Sequence, residues 1–124
     1  MASRGVLAKL FDPLVAVIAP RYQAAVGHEL AKVGLRYEDL YDPMFDLDVE
    51  EALHRIPQEE YDARTARLRR ALDLSVKHID LPADLQAQQT PFLSYVGDAL
   101  DQVKAERAER VALGAPAPYD RTLP

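Results

Sequence analysis

The sequence predicts an all-α fold: short helices plus two longer amphipathic helices, joined by ordered loops and followed by an extended C-terminal tail. Three observations carry this. Apolar residues recur at helical spacing, and no stretch alternates with period two for long enough to make a strand. Proline and glycine stand where helices start and stop. The apolar content leans on small residues: 19 Ala, no Trp and three Phe in 124 residues. Ala brings helix propensity but little buried area. The composition therefore favours thin helices packed on one another or on a partner. Leu, Ile, Val and Phe still total 33 residues, too many for a disordered chain. This length makes a single domain.

Asp12-Pro13 places a capping residue before a proline suited to the first helical position. A helix is expected from Pro20 to Val33, with Tyr22, Val26, Leu30 and Val33 on one stripe and Gly34 as its left-handed terminator. Residues 35–47 read as an ordered loop. Tyr37, Tyr41 and Phe45 recur every four residues there and allow one helical turn. Asp48 is expected to cap a short helix, Val49 to Arg55, with Glu51 completing a capping box. Pro57 opens the clearest helix, with Glu59 and Glu60 in its first turn and Lys77 and His78 in its last, matching the macrodipole. Its apolar stripe is Tyr61, Thr65, Leu68, Leu72, Val76 and Ile79. A short helix from Ala83 to Gln89 follows Pro82. Thr90-Pro91 then opens a final helix to Leu113, amphipathic through Phe92, Val96, Leu100 and Val103 and highly charged from Lys104 to Arg110. Gly114 ends it, and the proline-rich tail should be extended. The expected organisation is one helical subunit: residues 1–19 a basic and apolar docking segment, 20–113 the body, 114–124 the tail.

Several function classes are excluded or disfavoured. With no Cys, disulfides, thiolate metal sites and iron–sulfur clusters are out. A net charge of −5 argues against nucleic acid as a partner. The longest apolar run, Leu14 to Ala19, is six residues between prolines, far short of the roughly 20 that span a bilayer. The segment through Phe11 carries Arg4 and Lys9 and no acid. It can be read as an organelle-targeting stretch, but an ordinary basic amphipathic helix explains it as well. Glu51 and His54 form a single E-x-x-H pair, whereas di-iron bundles need two and further glutamates. His28, His54 and His78 belong to no nucleophile motif, and five scattered Gly make no phosphate loop. The sequence offers no catalytic residues, no cofactor site and no metal site.

Charge is segregated instead. Residues 38–51 hold seven acids and no base, and residues 64–70 hold four arginines and no acid. The simplest reading is that the blocks face each other or water. The functional reading is docking, since Arg suits bidentate pairing across an interface. Arg64, Arg67 and Arg70 share one helix face by their spacing of three. They and the loop carboxylates Asp42, Asp46 and Asp48 are the candidate partner-binding residues.

Four segments in order resemble one family, subunit 7 of the mitochondrial ubiquinol–cytochrome c oxidoreductase, respiratory complex III. They are Gly34-Leu-Arg-Tyr-Glu-Asp-Leu-Tyr41; Val49-Glu-Glu-Ala-Leu-His-Arg-Ile-Pro57; Tyr61-Asp-Ala-Arg64 running on to Arg69-Arg-Ala-Leu-Asp-Leu-Ser-Val-Lys-His78 and Leu81-Pro82; and Pro91-Phe-Leu-Ser-Tyr95 leading into Lys104-Ala-Glu-Arg-Ala-Glu-Arg110. Order and spacing hold over Gly34 to Leu113. Gln86-Ala-Gln-Gln-Thr-Pro-Phe92 and Pro118-Tyr-Asp-Arg-Thr-Leu-Pro124 resemble its plant and green-algal versions.

The resemblance implies a non-catalytic structural and assembly subunit, all-helical and peripheral on the matrix side of the mitochondrial inner membrane. It implies contact with cytochrome b, the core proteins and the neighbouring small subunit 8, while other subunits transfer the electrons. On that placement Arg4, Lys9 and Arg21 are expected to reach anionic phospholipid such as cardiolipin, each worth about 1 kcal/mol near such a surface. Asp42, Asp46 and Asp48 would pair with basic residues of cytochrome b or a core protein, a reading preferred over proton collection at the quinone-reduction site. The alternative from another class is a free-standing helical adaptor for an unrelated partner.

Overall fold

A computed structural model describes residues 3–120, with side chains described at residue 13 and from 15 onward. Five α-helices and one 3-10 turn account for the ordered elements, and no strand occurs among the described residues. They are α1 (Ser3–Val33), the 3-10 turn (Tyr37–Leu40), α2 (Leu47–Arg55), α3 (Gln58–Lys77), α4 (Ala83–Ala87) and α5 (Gly97–Ala112). The all-α expectation holds.

The first departure from expectation is α1, which runs through both Pro13 and Pro20. Each proline removes one backbone donor at a helix-interior cost of about 3 kcal/mol. Ala16, whose carbonyl loses its partner to Pro20, lies in the exposed stretch 15–25, so water can serve it. Gly34 ends the helix as expected, at φ 71°, with Leu35 N–H donating to Leu30 O at 3.0 Å. A Cβ at Gly34 would collide with the Arg70 guanidinium.

Asp46, not Asp48, caps α2: its carboxylate accepts the Asp48 N–H at 2.9 Å. The Asp48 side chain is buried and committed elsewhere, so the box with Glu51 does not form. In α3 the expected apolar stripe is half-buried at Thr65 and Leu68 and turns outward toward its end. Leu72 and Val76 are 67% and 71% exposed, and Ile79, past the helix, is 53% exposed, whereas Arg64, Ala71 and Leu74 are buried. Helical periodicity finds a face but cannot decide between two faces when arginine stems can also line a buried one. His78 closes α3 in the left-handed conformation, φ 55°.

The last helix starts at Gly97 instead of Pro91. Thr90-Pro91 forms only a turn, with Leu93 N–H donating to Thr90 O at 3.2 Å. Val96, Leu100 and Val103 bury the expected face of α5 against Val49, Ala52 and Leu53 of α2. Tyr41, Tyr95 and Tyr119 pack around this cluster. Leu30, Ala71, Leu74 and Leu81 are the other buried apolar residues, where α1 meets α3 and α4. Backbone bonds tie the parts together: Tyr37 N–H to Pro91 O at 2.7 Å and Leu81 N–H to Lys32 O at 2.8 Å. Gly27 lets the Phe92 ring approach α1 closely.

Candidate docking surfaces and the polar network beneath them

The buried apolar core is small, so polar groups do much of the joining. The 3-10 turn presents Glu38 and Asp39 side by side, and each carboxylate organises a different helix. Glu38 reaches the start of α5. Its Oε2 accepts the N–H groups of Tyr95 and Val96, both at 2.8 Å, and its Oε1 accepts the Ser94 hydroxyl at 2.6 Å. Partial burial pushes this carboxyl up, but those donors outweigh it and hold Glu38 below the usual carboxylate range.

Asp39 reaches α3. Its side chain is wholly covered and takes two parallel bonds from Arg67, at 2.7 and 2.8 Å. It also accepts the Tyr95 hydroxyl at 2.6 Å and the Arg36 N–H at 2.9 Å. Burial raises this carboxyl, and the Arg67, Tyr95 and Arg36 donors more than reverse the effect. The Tyr95 hydroxyl shifts the other way, raised first by burial and then by its hydrogen bond to Asp39. The Arg67 guanidinium lies 5.0 Å from the Tyr95 ring centroid.

The arginine face of α3 therefore turns toward its own chain. Arg67 holds Asp39, Arg64 donates to the Tyr41 carbonyl at 3.0 Å, and Arg70 donates to the Gly34 carbonyl at 2.7 Å. The acidic and basic blocks meet at the Asp39–Arg67 ion pair, with Arg64 and Arg70 serving backbone carbonyls.

The three loop aspartates separate. Asp42 and Asp46 are exposed and accept local backbone N–H groups, of Met44 and Asp48. Asp48 is buried, and it accepts from Arg107 at 3.0 Å and from the Tyr119 hydroxyl at 2.6 Å. Arg107 also lies 5.5 Å from the Tyr119 ring centroid. The tail is thus pinned onto α2 and α5. Arg21 is exposed, and Arg4 and Lys9 lie outside the residues whose side chains are described.

Sequence reasoning did not single out Glu38, Asp39, Tyr95, Arg107 or Tyr119. Their signal was present only as charge in the acidic block and in the second half of α5. The partners sit 28 to 71 residues apart, beyond the reach of any local pattern.

Two apolar surfaces remain uncovered. One is the outer side of α3 at Leu72 and Val76, continued by Ile79 just past its end; the other is the arm of α1, where Val15, Val17, Ile18 and Tyr22 are 52–69% exposed. Met44 and Phe45 at the tip of the acidic loop are exposed as well. Among the described residues no cluster of three or more His, Asp or Glu could hold a metal ion, and no helix is long and apolar enough to cross a membrane.

The model of the ubiquinol-cytochrome C reductase complex 14kD subunit family matches residues 9–111. The chain belongs to this family. It is 55% identical to cytochrome b-c1 complex subunit 7-2, mitochondrial, of Arabidopsis thaliana, over 95% of this chain and 97% of the relative. It is 55% identical to cytochrome b-c1 complex subunit 7 of Solanum tuberosum, over 93% and 94%. Against subunit 7 of Homo sapiens it is 39% identical over 72% and 77%.

The 14kD subunit is an accessory, non-catalytic component of the respiratory chain, as the resemblance implied. The family match opens at residue 9, well upstream of the Gly34 at which the resemblance was read, and so takes in most of the α1 arm. It contains the whole Glu38–Asp39–Arg67–Tyr95 network and Arg107. Tyr119 lies beyond it.

Proposed function

We propose that the chain is a structural and assembly subunit of complex III, peripheral on the matrix side of the mitochondrial inner membrane. Its partners on this reading are cytochrome b, the core proteins and small subunit 8. Family membership supports the complex, and the observation that carries docking is the uncovered apolar side of α3. Leu72 and Val76 on one side of α3, with Ile79 just past its end, are 53–71% exposed and left in water by the chain's own fold. Exposed apolar residues grouped in this way, here and on the α1 arm, are of the kind that marks protein contacts.

The α1 arm is the second docking element. It projects apolar residues on several sides, with Arg21 exposed at its base. Lys and Arg at such a place suit phosphates of an anionic lipid like cardiolipin. Exposed Asp42 and Asp46, flanking Met44 and Phe45, suit a mixed polar and apolar contact with a basic partner. Arg64, Arg67 and Arg70 contribute chiefly by holding the acidic loop in place, and Asp48 by holding the tail.

Blue native electrophoresis tests this reading. The chain should migrate with haem-b-containing complex, and removal of residues 1–20 should leave a helical protein absent from that band. Normal complex levels with the truncated chain would sink the docking role of the arm. A chain that never co-migrates with haem b would favour a free-standing adaptor.

A further inference from the structure

Arg64 is 9% exposed, and it is the one buried cation among the described residues without an ion-pair partner. Every nearby carboxylate of the network is committed: Asp39 to Arg67, Asp48 to Arg107, Glu60 to Arg36. Arg64 donates to the neutral Tyr41 carbonyl, and its Nε has no hydrogen-bond partner. Burying a guanidinium with its charge unmatched is costly, and such groups in folded proteins are normally paired. Arg70 also lacks a carboxylate, but it is exposed and water serves it.

Arg64 lines a cleft of about 190 Å³ shared with Pro43, Glu50, Leu53, His54 and Tyr61. The cleft is smaller than the roughly 300–1,000 Å³ of small-molecule sites and has room for a single side chain. Pro43, Leu53 and Tyr61 supply apolar walls for methylene groups. Arg64 supplies a planar fork whose geometry matches a carboxylate. Glu50 lines the same cleft yet makes no ion pair with Arg64.

We infer that this cleft receives a carboxylate from a neighbouring polypeptide, an Asp or Glu side chain that enters between α2 and α3 and pairs with Arg64. The identity of the neighbour rests on the proposed function; the carboxylate chemistry does not. Docking supplies the missing counter-charge, so the pair forms only in the assembly.

Two measurements test this separately. In the full-length isolated chain, acetate added at constant ionic strength should shift the Arg64 guanidinium NMR signals saturably, and Arg64→Gln should abolish the response. A response no greater than that to chloride overturns the site, and saturation by inorganic phosphate without saturation by acetate overturns its carboxylate specificity. In purified complex, Arg64→Lys followed by carbodiimide coupling should give a zero-length cross-link from position 64 to an Asp or Glu of another subunit. A link to Glu50 of the same chain only, or no link in a variant that enters the complex, overturns the inference. Saturable acetate binding by a chain that never enters complex III would retain the carboxylate site while sinking the proposed function.

Discussion

Glu38 accepts the backbone N–H of Val96 at 2.8 Å although the two residues are 58 positions apart, so a carboxylate on the 3-10 turn supplies the N-terminal cap of α5. A helix's first N–H groups have no partner of their own. Here the N–H groups of Val96, the residue before α5, and of Tyr95, with the Ser94 hydroxyl, all donate to one distant side chain. This bond joins helix initiation to tertiary structure and explains why α5 begins after the Thr90-Pro91 signal.

Glu38→Ala should destabilise the chain by about 1–2 kcal/mol, the range for loss of a helix cap. Hydrogen exchange at the Tyr95 and Val96 amides should accelerate, while amides in the middle of α3 change only with global stability. Unchanged protection at both amides would show that the cap carries nothing.

Asp39 and Arg67 form the buried ion pair, with side chains 0% and 13% exposed. Removing one partner leaves an uncompensated buried charge, so Arg67→Met should cost about 3–5 kcal/mol. The double variant Asp39→Leu with Arg67→Met should lose less than the two single losses added together. A denaturant-based double-mutant cycle measures this, and strict additivity would dismiss the coupling.

Acid should unfold the chain through the same two carboxylates. Glu38 and Asp39 lie below their ordinary values of 4.5 and 3.8 in the folded state. The unfolded chain therefore binds more protons in this window, and stability rises with pH. Their contribution is complete above about pH 4.5 and disappears as pH falls through the lowered folded values. Circular dichroism from pH 6 downward checks this; in Glu38→Gln and Asp39→Asn the acid-dependent part should shrink.

The tail should release in alkali. The Tyr119 hydroxyl is pushed up to about 12 from 10, first by burial and then by its hydrogen bond to Asp48. A raised value means that the contact contributes fully below pH 10 and is lost as pH rises through about 12. Limited proteolysis of the tail across that range reads the release. Tyr119→Phe should loosen the tail already at neutral pH, at a cost of about 1 kcal/mol for the missing bond.

Leu72→Asp with Val76→Asp separates folding from docking. Both positions are exposed, so stability of the isolated chain should change by no more than about 0.5 kcal/mol per site. Incorporation into complex III on blue native gels should fall sharply. Full incorporation would place the docking surface elsewhere.

The sequence by itself determined the all-helical class, the positions of Gly34 and Pro57 as helix boundaries, the apolar face of α5 and the family. All of these are local: they follow from periodicity, cap chemistry and motif order within a few turns of chain. Only the tertiary structure decided which side of α3 is buried, that Asp46 and not Asp48 caps α2, and that α1 continues through its prolines. For α3 and α2 the physical reason is that charged groups find their partners dozens of residues away; for α1 it is that the stretch before Pro20 is open to water, which serves the freed carbonyl. Asp48 left its helix end for Arg107 and Tyr119, and Arg64 and Arg67 took the inner side of α3, where the Tyr41 carbonyl and Asp39 accept their hydrogen bonds.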